Sequence, residues 1–230
     1  HVHLAAERGD VDAARVLIDK GANINARDKG EITPLYFACM MDSVDMLKLL
    51  LAKGGDPNVT GRQSPPPLRM VIDRPDMLKT LVNVPGFDPN IKLEDGETPA
   101  LLWTVDRQRP AAALLLIEKG ADVKCRDGYQ NTPLHFAAKH GYPDVMKGLI
   151  RKGADVNAVN EAHVTPLHVA AENGRKDAME VLIAAGANVN DLSPGWTPLN
   201  RVKRLEELAA VLRKHGGWAV AQRLDLHRLA

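Results

Sequence analysis

Apolar side chains recur along this chain in short quartets at helical spacing. Val145, Met146, Leu149 and Ile150 form one, Met46, Leu47, Leu50 and Leu51 another, and Ala178, Met179, Leu182 and Ile183 a third. Residues at i, i+1, i+4 and i+5 share one side of a helix, so each quartet predicts a helix that buries a single stripe. A shorter apolar run precedes each quartet, and it opens with a proline, as in Thr132–Pro133 and Thr165–Pro166. Threonine is a good N-cap, and proline fits the first helical position, where an N–H would have no partner anyway. Ala137 and Ala138 then leave room for a neighbouring helix, and Gly141 interrupts the run. Gly153 stops the second helix, at a place where a left-handed residue is cheapest for glycine. From there the polar segment ADVNAVNEAHV reaches out and returns to the next Thr-Pro.

This arrangement repeats. Prolines that open an apolar run fall at Pro34, Pro67, Pro99, Pro133, Pro166 and Pro198, at steps of 33, 32, 34, 33 and 32 residues. Gly21, Gly54, Gly86, Gly120, Gly153 and Gly186 keep the same rhythm, each four residues before Asn25, Asn58, Asn90, Lys124, Asn157 or Asn190. Two markers in register predict a stack of like units rather than one irregular domain. The segments NTPLHFAAKHG, VTPLHVAAENG, DVDAARVLIDKGANINARD and KGADVNAVN resemble signature segments of the ankyrin-repeat family, and the likeness covers almost the whole chain. The resemblance implies an all-α repeat solenoid whose helix–turn–helix units are joined by β-hairpin loops. Repeats are expected at residues 1–32, 33–65, 66–97, 98–131, 132–164 and 165–196, with a capping repeat and terminal helix at 197–230, all in a single domain. Seven units with helices roughly 8 to 10 Å apart would make a slab about 60 to 70 Å long. The last segment, LRKHGGWAVAQRLDLHRLA, resembles a C-terminal cap with an extra short helix, and its LRKHGG is similar to caps of bacterial ankyrin proteins.

Composition narrows the function classes. Aromatic residues make up 4% of the chain, so the core must be filled by aliphatic side chains, which suits close helix packing. Thirty basic and twenty-nine acidic side chains leave a net charge of +1, which argues against nucleic acid as the partner. Cys39 and Cys125 stand apart with no CxxC pair, which points to a reducing compartment and a cytoplasmic location. No apolar run reaches the roughly 18 to 20 residues that span a bilayer, so membrane insertion is not expected. The chain starts at His1 in mid-pattern and reads as a fragment or trimmed product, with a leader or further domain upstream left open.

Candidate chemistry is sparse. His135 and His168 stand three residues after Thr132 and Thr165, the place from which a capping-box side chain reaches back to the cap. Equivalent positions of stacked helices are roughly 8 to 10 Å apart, too far for one zinc ion with ligands about 2 Å away. Both histidines are therefore read as scaffold, as the family resemblance also implies, and no metal or cofactor is expected. None of the three serines lies in GxSxG, and GxxxxGK[ST] is absent, so no catalytic residue is assigned. Cys39 is expected to be buried and inert, whereas Cys125, on a hairpin, has a second reading as a more reactive thiol. His1 and His3 suggest a terminal chelate, an appended remnant or ordinary first-repeat positions, with the last two favoured.

Repeats two to four depart from the pattern. Nine of fifteen prolines fall between Pro57 and Pro110; Pro66 replaces the capping threonine, and Val71 and Ile72 replace the alanine pair. Trp103 falls near where a small residue belongs. Drift and reshaping for a partner stand side by side as explanations. The resemblance implies a non-catalytic interaction scaffold, monomeric, binding a partner protein through its concave face of hairpin tips and inner-helix ends. The residues that implies are Met40, Met41, Arg74, Lys139 and His140 at helix ends, and Arg62, Gln63, Glu94, Arg126 and Tyr129 at tips. Methionine adapts to apolar partners, and Arg and Tyr are enriched among binding anchors. The alternative is a targeting or substrate-recruiting arm of a larger enzyme or effector whose catalytic domain lies outside this chain.

Overall fold

Helices of four to nine residues are too short to persist alone, so their stability must come from one another. A computed structural model describes residues 2–61, 65–93, 97–193, 195–202 and 206–217, and in it such helices pair along the chain. The chain falls into two compact units, residues 1–100 and 101–230. The first holds α1 (Val2–Arg8), α2 (Val11–Asp19), α3 (Pro34–Met40), α4 (Val44–Ala52), α5 (Pro67–Val71) and α6 (Pro75–Val82). It closes with β1 (Lys92–Leu93) and β2 (Thr98–Pro99), an antiparallel pair with Lys92 opposite Pro99 and Leu93 opposite Thr98. In the second unit are α7 (Ala100–Asp106, begun on the last residue of the first), α8 (Pro110–Glu118), α9 (Pro133–His140), α10 (Pro143–Arg151), α11 (Pro166–Glu172), α12 (Lys176–Ala184), α13 (Pro198–Arg201) and α14 (Glu206–Lys214).

Within the first unit the inner helices α1, α3 and α5 pack in sequence, and the outer helices α2, α4 and α6 do likewise. The second unit lays α9 on α11 and α11 on α13, backed by α8, α10, α12 and α14. The predicted quartets are the stripes that do this: Met46, Leu47 and Leu50 are fully buried in α4, and Val145, Met146 and Leu149 are buried in α10. The small pair works as expected, since Ala137, Ala138, Ala170 and Ala171 are all buried where inner helices meet. Gly153 sits at φ +90, and its N–H and that of Ala154 close on Ile150 O at 2.9 Å and Leu149 O at 3.0 Å. Two C-terminal carbonyls of α10 are thereby satisfied.

The asparagine marker explains how neighbouring units are held. Asn25 Nδ2 donates to Gly54 O at 3.0 Å, and Asn25 Oδ1 accepts from Asp56 N at 2.9 Å. Asn58 treats Gly86 and Asp88 the same way, at 2.7 and 2.8 Å. Asn157 repeats it with Gly186 and Asn188, at 3.5 and 2.8 Å. A primary amide offers a donor and an acceptor on one group, which is why asparagine recurs at this step.

Hairpins differ from the expected form. Among the described residues, regular strand pairing is confined to β1 and β2. At other tips a side chain stands in for the second rung of a ladder. Asp28 N donates to Ile32 O at 3.0 Å, while the returning N–H of Ile32 goes to Asp28 Oδ1 at 2.9 Å. Asp127 with Asn131, and Asn160 with Val164, form the same closed loop. The irregular repeats are accommodated by packing. Helix α5 has only five residues and no side-chain cap, because Pro66 has no acceptor atom to offer its first turn. Val71 and Ile72 are buried in place of alanines. Trp103 is 5% exposed, and the Arg107 guanidinium lies 5.9 Å from its ring centroid.

Candidate functional site

His135 and His168 are scaffold, and their bonds show how. Thr132 N–H donates to His135 Nδ1 at 3.1 Å, so that nitrogen carries no proton and accepts. Nε2 then bears the hydrogen and donates to Val164 O at 2.9 Å, tying α9 to the next tip. Burial, the largest influence, pulls the His135 pKa below its ordinary 6.5, with the carbonyl of Val164 opposing. His168 repeats the arrangement, taking the Thr165 N–H at 3.3 Å and pointing Nε2 at Asp191 O and Trp196 O, 3.2 and 3.0 Å away. The half-buried Trp196 sets its ring edge-on to that imidazole at 4.5 Å. His3 Nε2 meets Ile32 O at 3.0 Å, a reach of 29 residues like that of His135 to Val164. The reading of His3 as a first-repeat position is thus the one the geometry supports, and His1 lies outside the described residues.

Both thiols are held protonated. Burial pushes Cys39 up to about 12, against the opposing pull of Arg74. Cys125 is half-buried and is also pushed up to about 12, by burial first and by Asp122 second. Its partial burial and raised pKa disfavour the thiolate, which argues against the reading of it as the more reactive thiol. Among the described residues, no group of three or more His, Cys, Asp or Glu side chains is placed to hold a metal ion. Nor is any helix there long and apolar enough to cross a membrane.

In the first unit, Met40 and Met41 end α3 with 43% and 51% of their surface exposed. The turn after them is strained: Asp42 adopts φ +56, where the neighbouring repeat has Gly9 at +70. Asp42 lies 3.6 Å from Arg74, whose guanidinium also donates to Cys39 O. Arg74 therefore caps the C-terminal end of α3 from the following repeat, a favourable place for a cation. Arg62, Gln63 and Glu94 lie outside the described residues.

The second unit brings together a different set. His140 is stacked on Tyr142 at 5.7 Å, with Nε2 3.9 Å from Asp106 Oδ1. Burial again lowers its pKa, helped by Lys139, and Asp106 opposes the shift. Tyr142 donates to Gln108 Oε1 at 3.4 Å, and Gln108, at φ +61, is another non-glycine in the strained turn position. Lys139 is exposed, and its carbonyl accepts from Arg175 Nε at 3.1 Å, the counterpart of the Arg74 cap. At the tips, Arg126 donates to Gln130 O and Val159 O at 2.9 and 2.8 Å, so it braces two hairpins. Tyr129 is 72% exposed, with its backbone pinned by Asp127 and by Glu161 N–H.

One feature of this surface was missed from sequence. Leu4, Phe37 and Met70 occupy one position of successive inner helices in the first unit, as Phe136 and Val169 do in the second. The signal was available, since these residues stand 33 apart within each unit, but they hide beside the Leu and Ala of the core. An open groove of about 790 Å³ is lined by Leu114, Ile150, Val181 and Lys147 on the outer helices of the second unit.

Comparison with known proteins bears on these features. Residues 70–160 match a family model described as ankyrin repeats (3 copies), residues 2–51 one for ankyrin repeats (many copies), and residues 163–193 one for a single ankyrin repeat. Over 47 residues the chain is 55% identical to the ankyrin repeat and LEM domain-containing protein 1 homolog of Caenorhabditis elegans, covering 20% of this chain and 7% of that protein. Over 160 residues it is 30% identical to the palmitoyltransferase AKR1 of Lachancea kluyveri, covering 64% of this chain and 21% of that one. The chain therefore spans far less than two thirds of either relative. The solved ankyrin repeat domain of Bcl-3 aligns with a TM-score of 0.73 at 24% identity, over 92% of this chain and 97% of that one, a likeness of fold.

Proposed function

Because this chain belongs to the ankyrin-repeat family, whose repeats are generally protein-interaction modules, we propose that it is a non-catalytic scaffold binding a partner protein. The binding surface is the concave side formed by inner-helix ends and hairpin tips. One observation carries the reading: Met40 and Met41 leave about half of two large apolar side chains in water at the end of α3. Covering apolar surface is worth roughly 25 cal/mol per Å², and methionine adjusts its shape to whatever covers it. The turn braced by Arg74 presents these residues already ordered, so little entropy is lost on binding. A monomer working in the cytoplasm as one continuous domain belongs to the same reading.

The test is capture of proteins from native lysate by the wild-type chain and by a Met40→Ser/Met41→Ser variant. Serine removes the thioether contacts without altering charge. Capture is expected to fall at least about tenfold, the effect of losing roughly 1.4 kcal/mol, with an unchanged melting curve. Undiminished capture would place the site elsewhere. A second reading, a recruiting arm of a larger enzyme, is favoured by the match to a palmitoyltransferase of which this chain spans 21%. A full-length transcript lacking any catalytic domain in the same reading frame would eliminate it.

A further inference from the structure

The inference here rests on the inner-face reading above and names the chemistry of the partner. Leu4, Phe37 and Met70 stand at steps of 33 residues on α1, α3 and α5, which pack side by side. Leu4 is 47% exposed, while Phe37 and Met70 are half-buried. Met40 lies three residues beyond Phe37, hence on the same helical face, and Met41 adjoins it. The first unit thus carries a continuous apolar row that turns outward at the end of α3.

Charge along that edge is mostly negative. Where inner helices end and outer helices begin, the exposed carboxylates are Glu7, Asp10 and Asp12 in the first repeat, Asp42 and Asp45 in the second, and Asp73 and Asp76 in the third. The cations in those positions are Arg8, Arg69 and Arg74, of which Arg74 is already engaged with Cys39 O and Asp42, while Arg15, Lys48 and Lys79 stand three residues beyond Asp12, Asp45 and Asp76 on the outer helices. Helix dipoles do not offset the excess. Each inner helix ends beside the start of its outer helix, so a half-negative end lies against a half-positive one and the side chains set the sign. The tip edge is near balance, with Arg27 3.8 Å from Glu31. In the second unit the same positions mix Arg107, Arg109, Lys139, Arg175 and Lys176 with Asp106, Asp144, Glu172 and Asp177. A net charge of +1 over the whole chain conceals this difference.

We propose that the inner-helix face of the first unit docks a basic segment of a partner protein, in which Lys and Arg flank large aliphatic or aromatic anchors. The anchors cover Leu4, Phe37, Met40 and Met41 and supply the part of the affinity that salt does not touch. The flanking cations meet the carboxylate edge and supply fast, salt-sensitive association.

Three labelled synthetic peptides test this by fluorescence anisotropy at low and raised salt. One combines Lys and Arg with Leu and Phe, the second replaces its Lys and Arg by Glu, and the third replaces its Leu and Phe by Ser. The first peptide is expected to bind, and the other two at least about tenfold more weakly at low salt. Met40→Ser/Met41→Ser weakens the first peptide at both salt concentrations. Glu7→Gln/Asp45→Asn/Asp76→Asn weakens it several-fold at low salt and flattens the salt dependence. All variants are compared below their melting transitions, so that only folded protein is read. Equal binding of the Glu peptide, still weakened by Met40→Ser/Met41→Ser, overturns the charge inference and leaves the inner-face reading standing. Binding of the first peptide that ignores both sets of substitutions, or no binding of it at all, also overturns the proposal.

Discussion

Lys124 occupies the one marker position where the glycine rhythm is not followed by asparagine. In the second unit, Asn157 bonds to the residues 29 and 31 positions further on, Gly186 and Asn188. The same offsets from residue 124 lead to Gly153 and Asp155. Lysine has no acceptor for the Asp155 N–H, whereas asparagine would supply both a donor and an acceptor. Lys124→Asn should therefore add two neutral hydrogen bonds, each worth about 0.5–1.5 kcal/mol net. The site is exposed, and ordering the new amide offsets part of the gain, so about 1 kcal/mol is the expected increase. For a chain of this size that raises the melting midpoint by roughly 2–4 °C. Urea and thermal unfolding followed by circular dichroism would measure it, with Asn157→Ala as the opposite control, expected to lose about 1 kcal/mol. A Lys124→Asn variant no more stable than wild type, beside an Asn157→Ala variant that loses nothing, would refute the view that this amide ladder holds neighbouring repeats together.

Three further outcomes follow from the same geometry. His168→Ala removes the bonds to Thr165, Asp191 and Trp196 along with the edge-on ring contact, and should cost about 2–4 kcal/mol in denaturant unfolding. Neutral His135 is the folded form, with its pKa below the unfolded 6.5, so its contribution is complete above that pH and declines as pH falls beneath it, because the unfolded chain takes up the proton first. The slope it contributes is at most about 1.4 kcal/mol per pH unit, and His135→Asn should flatten it in unfolding curves measured between pH 7 and pH 5, roughly the range in which histidine changes charge. Cys39, fully buried, should react with a thiol reagent at neutral pH only at the rate of unfolding, and half-buried Cys125, pushed up to about 12, more slowly than a free thiol, so labelling of Cys125 at the free-thiol rate would contradict its environment.

Much of the fold was legible because its determinants are local and repeated. The Thr-Pro starts, the glycine stops and the buried quartets each act within one turn of helix, so spacing alone revealed them. The role of His135 was readable from its offset to Thr132, since a capping contact spans three residues. Long-range partners were not readable. Nothing near Arg74 in sequence says that it caps α3 by reaching Cys39 O, 35 residues back, or that Arg175 reaches Lys139 O across 36. The bracing role of Arg126 likewise depends on the carbonyl of Val159, on the next hairpin. The hairpins departed from regular strands because Asp28, Asp127 and Asn160 put a side chain where a backbone rung was expected. At the candidate surface, Met40, Met41 and Tyr129 were legible as large residues at polar positions, and their exposure agrees.

Hydrogen exchange of this chain, free and with its captured partner, is the most direct test of the central claim that inner-helix ends form the binding surface. Slowed exchange in α3 and the turn through Ser43, with α2 and α4 unchanged, is the predicted result. Protection confined to the outer helices, with the backbone around Met40 and Met41 exchanging as in the free protein, would contradict it.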